Sequence, residues 1–164
     1  MMGSFEDALH AFYDGEVAGE AVYSALLGSA QTADERLKWG TLLQLETETK
    51  AWLRAPMVAA GVSIEEPSDK RQEGLGAAER LKSASWLRKM QALHDAIGNE
   101  FVPLYQGFAD AARSRGAADE EAVCVYMVEH EKAQGEFARR ELAGASLDHA
   151  LEPIVRLLKY PLTR

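Results

Sequence analysis

The sequence predicts an all-α protein built from long amphipathic helices, and three observations carry that prediction. Ala, Leu, Glu, Lys and Arg dominate its 164 residues, and these side chains lose least conformational freedom in a helix. No stretch sustains the alternation of β-branched and polar residues that a half-buried strand needs. Apolar residues recur instead at three- and four-residue spacing, in runs bounded by glycine, proline and capping residues.

The length suits one domain over residues 1–164 with a sizeable core. No run approaches the roughly 18 apolar residues of a membrane span, and the start MMGSFEDALHAF lacks the basic-then-apolar layout of a secretory signal. A cytoplasmic protein without a membrane partner is the expectation. The net charge of −8 argues against a nucleic-acid partner, because phosphate recognition needs clustered Lys and Arg. The single cysteine, Cys124, excludes an internal disulfide and a CxxC metal site, and reads as a small core residue.

The first predicted helix runs from about Phe5 to Ser29, with Thr32 or Asp34 available to cap its successor. The second runs from about Ala33 to Ala60 and stops near Gly61. Residues 62–76, VSIEEPSDKRQEGLG, combine a proline, two glycines and mixed charge, so a long irregular connection is expected there. The third helix follows from about Ala77 to Ser114, and the turn at Gly116 leads into a fourth at about 119–142. A short fifth helix over about 147–159 is predicted, its start left open by Pro153. Short connections within each pair and a long link between the pairs give one crossover and up-down-down-up order.

At about 100° per residue, several acids fall within the apolar stripes. Glu16 and Glu20 share the arc of Phe5, Leu9, Phe12, Tyr23 and Leu27 in the first helix. Glu46 lies among Trp39, Leu42, Leu43, Leu53 and Met57, with Lys50 one turn on, whereas Glu48 points away. In the third helix Glu100 interrupts a stripe through Trp86, Met90, Leu93, Ile97, Leu104, Phe108 and Ala111, and Pro103 predicts a bend beside it. The fourth helix offers a broad face that takes in His130, Glu131, Gln134 and Glu141. An isolated buried carboxylate costs several kcal/mol unless it is protonated, paired or bound to a cation. Convergent acids from four helices therefore point to a shared compensating charge. Trp52 falls off the stripe of its helix and suggests burial by a second copy, hence a homodimer.

The two halves also look alike, Glu20-Ala21-Val22-Tyr23 matching Glu100-Phe101-Val102-Pro103, each followed by an inward acid on the partner helix, Glu46 or Glu131. In this pattern the chain over about residues 5–143 resembles the ferritin-like superfamily, and within it the rubrerythrin-type four-helix bundles. The resemblance implies a di-iron or di-manganese carboxylate oxidoreductase acting with oxygen or peroxide. It also implies metal ligands Glu20, Glu46, Glu100 and Glu131, with Glu16 and His130 as possible additions. The sequence departs from the Glu-x-x-His pattern of the family, having Glu46-Thr47-Glu48-Thr49 and Glu131-Lys132-Ala133-Gln134. The alternative is a non-catalytic, metal-free dimeric bundle whose acids hold protons or pair with Lys50, Gln134, Thr49 and Tyr23.

Overall fold

The structure is a computed structural model that describes residues 3–162. Among the described residues all regular structure is helical, and no helix is long and apolar enough to cross a membrane. Helix α1 (Phe5–Gly28) starts at a capping box, in which the Asp7 amide donates to Ser4 Oγ at 3.2 Å and the Ser4 amide to Asp7 Oδ2 at 2.7 Å. Helix α2 (Ala33–Ala59) is capped by Thr32, whose Oγ1 accepts the Glu35 amide at 3.1 Å. It stops where Gly61 takes φ +71° and the Val62 amide reaches back to the Met57 carbonyl.

The expected irregular connection is a correction, because Ser68–Leu81 forms a helix, α3. Pro67 starts it with φ −62°, the value its ring imposes. Gly74, read in sequence as a breaker, serves close approach instead. A methyl group there would overlap the Ala18 carbonyl oxygen and sit 2.9 Å from Ala21 Cβ, so the missing side chain lets α3 lie directly on α1.

The predicted single helix over 77–114 is likewise divided. α3 ends at Leu81, Ser85 caps α4 (Trp86–Ala96), and a π turn at Ile97–Phe101 leads into α5 (Val102–Ser114). The proline ring of Pro103 crowds the carbonyl four residues back and offers no N–H, which favours a wider turn. The Val102 amide accordingly bonds Ile97 O, five residues back. This turn absorbs one extra residue and rotates everything after it. The buried stripe through Met90 and Ile97 continues at Tyr105, Ala109 and Ala112, while Leu104, expected inside, is 50% exposed. Glu100 moves to the surface by the same rotation.

Helix α6 (Ala118–Leu142) follows Gly116, at φ +69°, and α7 (Leu147–Val155) ends four residues before the predicted limit. Pro153 sits inside α7 without disrupting it, because the His149 carbonyl that it leaves unbonded accepts from Arg140 Nη1 at 2.7 Å. The exposed Trp52 lies against Tyr126, with ring centroids 4.3 Å apart.

Side-chain contacts fix the helix directions. Phe12 of α1 packs on Tyr105 of α5, Tyr23 stacks on Trp39 of α2, and Trp39 contacts Trp86 of α4. Thus α2 and the α4–α5 rod run antiparallel to α1, α3 carries the chain back alongside α1, and α6 runs parallel to α1. The core has two apolar clusters. Leu9, Phe12, Leu53, Met57, Tyr105 and Met127 fill one end, whereas Leu26, Trp39, Leu42, Met90 and Phe137, closed by Leu151 and Ile154 of α7, fill the other. Each such side chain contributes about 1.5–3 kcal/mol by leaving water. A polar layer separates the two clusters.

Candidate metal centre

The layer is assembled from one side chain of α1, three of α2 and three of α6: Glu16, Glu46, Thr49 and Lys50, His130, Glu131 and Gln134, all buried. Glu46 fits because Gly19 of α1 has no side chain, and a methyl group there would overlap Glu46 Oε2. Glu16, Glu46 and His130 converge, each offering a ligand atom within 4.8 Å of the others. His130 Nε2 lies 3.2 Å from both Glu16 Oε1 and Glu46 Oε1, and 3.9 Å from Glu131 Oε1.

The surrounding hydrogen bonds orient these groups. Thr49 Oγ1 is 3.1 Å from His130 Nδ1, a contact that lets Nδ1 carry the proton and leaves the Nε2 lone pair facing the carboxylates. Gln134 Nε2 donates to Glu46 Oε1 at 2.8 Å and stands 2.8 Å from His130 Nε2, while its Oε1 accepts from the Tyr23 hydroxyl. One oxygen, Glu16 Oε2, is buried with no partner. Three lone-pair atoms thus face one another across distances that a shared proton or a cation bridges.

The electrostatics express the same conflict. Burial, then the charges of Glu46 and Glu131, push the Glu16 carboxyl well above the usual range. Burial raises Glu131 to about 7, against the opposing pull of His130. Burial disfavours the charged form of His130, yet the adjacent Glu46 carboxylate outweighs this and the net shift is upward. Without a metal, the layer therefore retains protons that its residues shed in water.

Of the sequence-predicted residues, the structure brings together Glu46 and Glu131, with Glu16 and His130 at the centre. Glu20 is one turn along α1 and turned toward α2, where the Lys50 ammonium and Thr47 Oγ1 (2.7 Å) both donate to it. Lys50 also donates to Glu66 at 2.7 Å, and Arg71 Nη2 to the other oxygen of Glu66 at 2.9 Å. Glu100 stays on the exposed π turn. Glu66 and Arg71 lie just before and within α3, where the sequence predicts an irregular connection, and no sequence pattern singles them out.

Compared with protein-family models, curated proteins and solved structures, the chain matches none, so its own geometry carries the interpretation. Cys124 plays no part in that geometry. It is buried in the first apolar cluster, and burial pushes its thiol up to about 11.

The layer is open on one side. Glu46, Glu131 and Gln134 line an open groove of about 850 Å3, which runs between α1 and α3 on one wall and the α4–α5 rod on the other. Small residues widen it, including Gly15, Ala18 and Gly19 on α1 and Ala92 and Ala96 on α4. Solutes of modest size can therefore reach the carboxylates.

Proposed function

We propose that the chain is a ferritin-like bundle that holds one divalent ion, iron or manganese, between Glu16, Glu46 and His130, and that it acts with oxygen or peroxide. The supporting observation is the convergence of two carboxylates and an imidazole in a buried layer where Glu16 Oε2 has no partner. The donor set fits such an ion. At metal–ligand distances of about 2.0–2.2 Å, neighbouring ligand atoms lie roughly 3.0–3.5 Å apart, and the two His130–carboxylate separations are 3.2 Å. Carboxylates suit manganese and imidazole suits iron.

Bound iron or manganese supplies redox chemistry that amino-acid side chains lack. The chain's own contribution is positional. Thr49 presents Nε2 of His130, Gln134 steadies Glu46, and the apolar clusters close the layer at both ends while the groove leaves it open at the side. The two-ion site implied by the resemblance draws on Glu20 and Glu100, which lie outside the cluster, so the donors support one ion. Uptake is tested on purified protein stripped with EDTA and titrated with Mn(II), or with Fe(II) without air. About one ion per chain should bind, and saturation at 100 times Kd should stabilise the fold by about 3 kcal/mol. Glu16→Gln and His130→Ala should abolish the effect while circular dichroism stays helical. No uptake and no thermal shift in the wild type defeats the metal reading.

One observation favours a metal-free bundle. The Gln134 amide already satisfies Glu46 and approaches His130 Nε2, and a proton on Glu16 completes the set. On that reading Glu16→Gln leaves stability unchanged or higher, whether or not metal is added.

A further inference from the structure

The groove has a second chemical feature that the metal reading does not use. Lys89 on α4 lines it with the residue only 7% exposed, while its ammonium opens into the groove and makes no side-chain hydrogen bond or ion pair. An ammonium that opens into a groove without a partner is a ready donor to an anion. Arg80, near the end of α3, also lines the groove and has no ion pair. By contrast, Lys50, Lys70 and Lys38 each reach a carboxylate. The far end is acidic, with Asp14 and Glu73 around Lys70 and Glu100 also on its lining.

We propose that the groove binds an amphipathic organic carboxylate, with its head group on Lys89 and Arg80 and its apolar body along α4 toward the polar layer. The charge distribution sets this polarity, since the acidic end repels the head group. The walls between are apolar, through Leu93, Ala96 and Ile97. The polar layer lies level with Ile97, because a methyl group at Gly135, next to Gln134, would sit 3.2 Å from Ile97 Cγ2. Lys89 to Ile97 is eight residues, or about 12 Å of helix, which an extended chain of roughly eight to ten carbons spans. A carboxylate of that length brings its distal carbons to Glu131 and Gln134.

The test is calorimetric titration of the full, EDTA-treated chain with decanoate, decanol and acetate. Decanoate should bind saturably, with decanol and acetate weaker by about tenfold or more. Lys89→Met and the exposed Arg80→Gln should each weaken decanoate by about tenfold and leave decanol unchanged. Equal affinity for decanoate and decanol, no loss in either variant, or no saturable decanoate binding overturns the proposal. Because the protein is metal-free, these results stand apart from metal uptake, and either proposal can fail alone.

Discussion

Glu131→Gln gives the sharpest test of the polar layer. Glu131 is buried, makes no hydrogen bond, and burial lifts its carboxyl from 4.5 to about 7. A raised carboxyl binds a proton in the folded chain where the unfolded chain has released it, so this group destabilises the fold as pH rises. The penalty is absent below the unfolded value, grows between 4.5 and about 7, and is constant above that. At 1.36 kcal/mol per pH unit it reaches about 3 kcal/mol. Glutamine keeps the shape and removes the titration. The metal-free variant should therefore match wild type near pH 4, exceed it by about 2 kcal/mol near pH 6 and by up to about 3 kcal/mol near pH 8. These are upper bounds, because the Glu131 charge also helps His130 hold its proton. Thermal melts in EDTA across that range should show Tm differences growing to roughly 6–12 °C. A Tm difference that stays flat with pH would refute the reasoning.

The remaining predictions concern how the helices are fitted together. Gly74→Ala should destabilise by about 1–3 kcal/mol in urea unfolding, because its methyl group meets the backbone of α1. Gly76→Ala, where the nearest atom is Arg80 Nη1 at 3.6 Å, should instead stabilise by about 0.5–1 kcal/mol. Deleting Asn99 should convert the π turn to a regular α-helical turn and preserve the stripe on either side, with Tm close to wild type. The same deletion at Val125 in α6 turns the rest of that helix by about 100° and should abolish folding, as read by circular dichroism.

Much of the fold was legible because periodicity is a local signal. α1, α2 and α6 have boundaries within a residue or so of the expected ones, since caps such as Thr32 and stops such as Gly61 act over a few residues. α3 was missed because Gly74 serves a contact with α1, which no local pattern reveals. The placement of Glu100 failed for a related reason. A wheel of constant pitch cannot anticipate a turn that absorbs one residue, although Pro103 marked where to look. Within the site, the wheel could place Glu16 and Glu20 on one side of α1 but could not rank them. The ranking came from α2, where Lys50 and Thr47 draw Glu20 aside and leave Glu16 facing His130. Thr49 and Gln134 stand three residues after Glu46 and Glu131, so the spacing had already marked both positions.

The way α3 is attached also sets how the molecule breathes. Only Gly74 and Ala78 of its residues are buried, and no side chain caps its start. Its hold on the bundle is the seam against α1, the packing of Ala78 and Leu81 on the second apolar cluster, and the Glu66 ion pairs before its first turn. Such an element opens by local unfolding at a small fraction of the global free energy. Amide hydrogens of α3 should therefore exchange with deuterium well before those of α1, α2 and α6. Each opening removes one wall of the groove and takes Ala78 and Leu81 from the edge of the second apolar cluster, while the rest of both clusters stays in place, so solutes can enter without unfolding of the core.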